Sequence, residues 1–152
     1  MSLVQQLTDD MKAAMKSGDH ARLETVRFAL AGVKAAEKEK QAKDPSAALT
    51  DEEAVAVLQK EAKRRKESIE LFTKGGRADL AEKEEAGLAV IQAYLPKELS
   101  REEIAALVDA ARTANPAVAG DFSGLMKEVM REVKGRADGR LVGEVIKERL
   151  GA

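Results

Sequence analysis

Apolar residues recur every three or four positions along almost the whole chain, and no sustained apolar–polar alternation interrupts them. A period of three to four returns side chains to one face of an α-helix, whereas a strand needs a period of two. The fold class expected is therefore all-α. Leu3, Leu7, Met11 and Met15 mark the inner face of a first helix, which Ser17-Gly18-Asp19 closes, with Asp19 offered as cap to the next. That second helix turns Leu23, Val26, Leu30 and Val33 inward and is expected to dissolve in the polar run EKEKQAKDPS. Asp44-Pro45-Ser46 reads as a loop, because proline disfavours helical geometry at the residue before it.

Thr50 and Glu53 have the spacing of a capping box, in which each side chain satisfies the other's free amide. The helix they open carries Val55, Leu58, Ala62, Ile69 and Phe72 and stops at Gly75-Gly76. A fourth helix, from about Ala78, uses Leu80, Leu88, Ile91 and Leu95 and ends before Pro96. Pro96 is the natural boundary. Beyond it Ser100 and Glu103 form another capping box, with Leu99 stapled onto Ile104. Ile104, Leu107, Val108 and Ala111 line that helix as far as Asn115-Pro116. Asp121 caps the next, which runs from Phe122 to Val133 with Phe122, Leu125, Met126, Val129 and Val133 inward. The last runs from about Gly139 or Arg140 to Leu150, burying Leu141, Val142, Val145 and Ile146. Two parts are expected: an N-terminal domain of about four helices over residues 1–95, and a C-terminal three-helix domain over 96–152. The latter lies near the lower size limit for independent stability and is expected to lean on the N-terminal helices or on a partner.

Basic and acidic residues number 26 and 27, a net charge of −1, so no global field draws the chain to nucleic acid or membrane. Any such attraction must be local. Four aromatics, Phe28, Phe72, Tyr94 and Phe122, are too few for a base-stacking platform. Without cysteine there is no disulfide, thiolate metal site or cysteine nucleophile. No run approaches a membrane span, and the start lacks a secretory signal pattern, so a cytoplasmic location is expected. No phosphate-binding loop, dinucleotide fingerprint or zinc-hydrolase motif is present, so neither cofactor nor metal is expected. His20, the lone histidine, reads as a polar residue beside a helix start, and the carboxylates fall in mixed-charge surface patterns such as EKEK and EKEE.

One segment stands apart, KEVMREVKGRADGR at 127–140, where Lys127, Arg131, Lys134, Arg136 and Arg140 face only Glu128, Glu132 and Asp138. Lys134-Gly135 closes one helix and Asp138, followed by Gly139, caps the next, so two helix ends meet at a tight turn. Free amides at a helix start flanked by cations suit a backbone phosphate. The same residues could instead simply close a helical hairpin, with cations favourably placed at a helix C-terminus. A second basic cluster, Lys60, Lys63, Arg64, Arg65 and Lys66, reads as a helix salt-bridged internally to Glu61 and Glu67. KGGRADL at 74–80 faintly echoes KGRADGRL at 134–141, as recurrent turn chemistry without a repeat.

The stretches LTDDMKAAMKSGDHARLETVRFALAGVK, EAKRRKES, GGRADLAEKEEAGLAVIQAYLPKELSREEI, VMREVKGRADG and KGRADGRLVGEVIKERL resemble the YqeY-like proteins of the GatB/YqeY group, and the likeness spans nearly the whole chain. The resemblance implies an N-terminal helical domain and a small C-terminal one similar to the tail of the B subunit of the glutamine-dependent tRNA amidotransferase. In that subunit the tail contacts tRNA and the catalytic machinery lies elsewhere. Carried over, the tRNA-facing turn is Val129, Met130, Lys134, Gly135, Arg136, Ala137 and Asp138, with Val129 and Met130 better suited to the core. Ser123-Gly124 stands where relatives tend to have Gly-Lys, and Gly143 where asparagine is usual. The family is associated with glutamine-dependent carbon–nitrogen ligase activity, but glutamine hydrolysis needs an activated nucleophile, which these residues do not supply. The function expected is a noncatalytic tRNA-binding or tRNA-amidotransferase-associated protein, touching phosphates through Lys134 to Arg140 with help from Lys127 and Arg131. One alternative is a module docking on a translation-related protein, such as an amidotransferase subunit or a synthetase. The other is a self-standing amide-forming enzyme acting on aminoacyl-tRNA.

Overall fold

A computed structural model describes residues 1–151. Among these residues seven α-helices form, and no strand. The chain divides into two compact units, residues 1–95 and 96–152.

The N-terminal unit comprises α1 (Leu3–Ser17), α2 (His20–Lys43), α3 (Asp51–Lys74) and α4 (Ala78–Gln92). Capping side chains set the first three starts. Ser2 accepts from the Gln5 amide, Asp19 from Arg22 and Thr50 from Glu53, each at 3.1 Å. Leu7, Val26, Val33, Leu58 and Ile91 are almost wholly buried in one core. Met15, expected on the inner face of α1, is instead 53% exposed, and Ala14 is buried in its place. The cause is helical drift: at 100° per residue, a strict period of four has rotated about 120° off the face of Leu3 by residue 15. Helix α2 also does not dissolve at the polar run but continues to Lys43. Ala, Glu, Lys and Gln are strong helix formers. Lys40 further anchors this end by donating to the Glu53 carboxylate at 2.8 Å and the Ala48 carbonyl at 2.9 Å.

The C-terminal unit comprises α5 (Arg101–Ala114), a 3-10 turn at Pro116–Val118, α6 (Phe122–Val133) and α7 (Gly139–Leu150). Ser100 caps α5 through the Glu103 amide, Asp121 caps α6 through Gly124, and Asp138 caps α7 through Arg140. Ile104, Val108, Leu125, Val129, Val133, Val142, Val145 and Ile146 fill a core of its own. Phe122 is not part of it. Its side chain is 36% exposed at the margin, with the Lys147 ammonium 5.8 Å from the ring centroid. Gly124 lets the 3-10 turn close on α6, since a Cβ there would lie 2.6 Å from Val118 Cγ1. Any side chain in its place would push Val118 aside.

Candidate functional site

The basic segment occupies the second half of α6, the connecting turn and the first turn of α7. Lys127 and Arg131, four residues apart on α6, share one face; Lys134 follows as the residue that ends the helix, and all three are exposed. Arg131 pairs weakly with Glu128 at 3.7 Å, while Lys127 and Arg140 make no ion pair among the described residues. Arg140 is exposed on the first turn of α7, its amide donating to the Asp138 cap at 3.0 Å.

The turn itself is tighter than the sequence suggests. Lys134 already adopts the left-handed conformation, at φ 51°, and Gly135 continues it at φ 79°. For a residue with a Cβ that conformation costs about 1–2 kcal/mol. Arg136 then serves the fold. Its Nε donates to the Lys97 carbonyl at 2.9 Å, and its own carbonyl accepts from the Leu99 amide at 2.8 Å, clasping the segment before α5 onto the turn. Ala137 and Met130 pack against the core and Val129 lies in it, while a Cβ on Gly139 would meet only Met130 Cε, at 3.8 Å. The candidate residues thus separate physically. Lys127, Arg131, Lys134 and Arg140 present charge to solvent, whereas Gly135, Arg136, Asp138 and Gly139 shape the turn.

Matching along residues 4–150 is to the family described as Yqey-like protein. The chain belongs to that family. Among curated Yqey-like relatives, the altered inheritance of mitochondria protein 41 of Pyrenophora tritici-repentis is 34% identical over 97% of this chain and 80% of its own length. Proteins of the same name match from Lachancea thermotolerans, at 40% identity over 60% of this chain and 47% of theirs, and from Eremothecium gossypii, at 38% over 68% and 56%. The chain thus spans about half the length of the latter two. All three are named as mitochondrial proteins, which overturns the expected cytoplasmic location. The expectation failed because a missing secretory signal says nothing of an organelle, and a chain without cysteine is equally at home in any compartment. No helix is long and apolar enough to cross a membrane among the described residues.

In this Yqey-like chain the second basic cluster is only partly the internally paired helix expected. Glu61 accepts a hydrogen bond from Arg64 at 2.7 Å and forms an ion pair with Arg65 at 3.1 Å, but Arg65 also donates across to Glu84 of α4 at 3.2 Å. Only 13% of the Arg65 side chain is exposed, and Gly87 of α4 gives it room: a Cβ there would lie 2.3 Å from its guanidinium. Sequence reading missed this latch between α3 and α4, although a glycine one turn after Glu84 inside an otherwise regular helix was its visible trace. The two echoing turns also differ: Arg77 folds back on Asp79 at 3.1 Å, whereas Arg136 holds Lys97. His20 lines a shallow depression with Leu23, Glu24, Arg27 and Phe28. No cluster of three metal-ligating side chains occurs among the described residues.

Proposed function

We propose that the protein binds tRNA without catalysing a reaction on it, and that the face formed by Lys127, Arg131, Lys134 and Arg140 contacts backbone phosphates. The carrying observation is the grouping of exposed cations along one stretch of chain: Lys127 and Arg131 one turn apart on α6, Lys134 at its end and Arg140 in the first turn of α7. Exposed cations clustered around a turn favour an anionic oxygen. A lysine held in a left-handed conformation within this group adds support, because strained residues gather where a side chain has a task beyond the fold. The resemblance to the amidotransferase B-subunit tail supports tRNA as the polyanion. Few aromatics and a net charge of −1 imply recognition by shape, with modest, salt-sensitive affinity.

Fluorescence anisotropy of the full chain with total tRNA and with a matched duplex DNA, across a salt series, tests this reading. Preference for tRNA is expected, each phosphate contact adding about 0.7–0.9 to the slope of log affinity against log salt. Replacing Lys127 and Arg140 together by alanine should flatten that slope by about 1.5. An unchanged slope in a folded double variant, or no tRNA binding at low salt, refutes it.

A further inference from the structure

Phe28 stands on the outer side of α2, 48% exposed, a large apolar side chain the N-terminal core leaves out. One turn on, Gly32 interrupts the middle of the same helix, where glycine is weaker than alanine. Packing does not require it. A Cβ built at Gly32 would meet only Val57 Cγ1 of α3, at an ordinary 3.6 Å. Beside Gly32 lies a hollow of about 310 Å³ between α2 and α3, lined by Ala29, Gly32, Val57 and Leu58 and walled by Phe28.

The rim of this hollow is cationic. Lys60 and Arg64 flank it on α3, and Arg27 lies on the other side of Phe28. The nearest carboxylate, Glu61, is 12% exposed and already engaged by Arg64 and Arg65, so it does little to offset the rim. Arg64 keeps 61% of its side chain exposed. Lys60 and Arg27 make no ion pair among the described residues. Glu24, on the Arg27 side, approaches Lys83 at 3.9 Å. The Phe28 ring is not a stacking platform, because the Arg64 and Arg65 guanidinium groups already lie over it, 5.1 and 5.8 Å from its centroid. It offers an edge and a hollow, which suit an aliphatic or aromatic side chain better than a nucleobase.

We propose that this face docks an acidic segment of a partner protein. The segment seats one large apolar side chain against Gly32 and Phe28 and places flanking carboxylates against Arg27 and Lys60. An apolar anchor inside a charged rim is the arrangement that concentrates binding energy in protein interfaces. The surface belongs wholly to the N-terminal unit and does not depend on the α6–α7 turn.

A display library of random twelve-residue peptides selected on the immobilised full-length protein tests this. The expected outcome is enrichment of peptides with one Leu, Ile, Phe or Trp flanked by Asp or Glu. A synthetic peptide of that consensus should bind at least about tenfold more weakly after Gly32→Leu, which fills the hollow, or Lys60→Glu, which reverses the rim. Circular dichroism confirms that each variant is folded, and Gly32→Ala provides a milder filling on an undisturbed helix. Lys127→Ala/Arg140→Ala should leave peptide binding unchanged. No enrichment, a consensus lacking acidic residues or the apolar anchor, or equal binding by the Gly32 and Lys60 variants overturns the proposal. Single-stranded RNA binding lost on Gly32→Leu, or self-association lost on it, would also overturn it and assign the face to RNA or to a second copy.

Discussion

Alanine at Gly87 and alanine at Gly32 are the same substitution in two helices of one unit, and the structure predicts opposite signs. At Gly32 the added Cβ meets Val57 at 3.6 Å, so the variant keeps the gain from replacing a mid-helix glycine, about 0.5–1 kcal/mol. At Gly87 the same gain is overwhelmed. The new Cβ would stand 2.3 Å from Arg65 Nη1 and 2.9 Å from Cζ, with Thr25 Oγ1 next at 3.4 Å. The guanidinium must leave its place between Glu61 and Glu84, in a site where 13% of its side chain is exposed. Hydrogen bonds to charged groups contribute about 1.5–3 kcal/mol and overpacking costs about 1–3 kcal/mol. Because the far end of an arginine can swing out, the low end of both applies, and the net loss is about 1–2 kcal/mol. For a unit of this size that is a fall of roughly 5–15 °C in Tm, against a rise of a few degrees for Gly32→Ala. Thermal unfolding by circular dichroism measures both. In an Arg65→Ala background the cost at Gly87 should vanish and the helix gain emerge. A higher Tm for Gly87→Ala in the native background, or a cost that persists without Arg65, refutes the latch.

Tyr94, the lone tyrosine, donates its hydroxyl to the Asp10 carboxylate, and burial first and Asp10 second push the phenol from 10.0 up to about 12. Alkaline titration of phenolate absorbance should therefore centre near 12, and Asp10→Asn should lower it without restoring 10.0, because burial is the larger cause. Between those values the native state holds a proton the unfolded state has lost, so stability should fall as pH rises through that window; a midpoint at 10.0 in folded protein would contradict the assignment. Arg136→Ala should lower the unfolding free energy of the C-terminal unit, read from denaturant curves, by about 1 kcal/mol for the exposed hydrogen bond to Lys97, while leaving the salt slope of tRNA binding unchanged. A flatter slope at unaltered stability would make Arg136 a phosphate contact instead.

Local chemistry made the helices legible. Thr50, Ser100, Asp121 and Asp138 each cap a helix through an amide two or three residues on, a relation contained in a few consecutive positions. Where the reading failed, something other than local chemistry decided. Met15 is exposed because a period of four drifts off a helix face, and α2 runs on through a polar stretch because its residues favour the helix and Lys40 finds partners at Ala48 and Glu53 across the following loop. Phe122 looked apolar enough for the core, but at the first position of α6 it reaches only the margin. The candidate site was legible as composition and illegible as geometry. Nothing in KGRADGR distinguishes Arg136 from Arg140; the difference is a carbonyl at Lys97, 39 residues away.

The same distinction governs how the cations of a nearly neutral chain can act at all. A net charge of −1 supplies no long-range attraction, so only side chains the fold leaves unengaged can bind an anion. Arg65 is committed to Glu61 and Glu84, Arg101 to Glu144 and Glu148 at 2.9 and 2.5 Å, and Arg112 to the Ala119 and Arg149 carbonyls at 2.8 and 3.2 Å. The arginines most deeply involved with other elements are therefore spent on holding helices together. Lys127 and Arg140 in one unit, and Arg27 and Lys60 in the other, belong to the cations left unengaged among the described residues. The two sets differ in what surrounds them. The first flanks a turn whose apolar side chains are packed inward, so its binding should follow salt alone, whereas the second encloses an apolar hollow and should keep part of its affinity when salt has screened the charges.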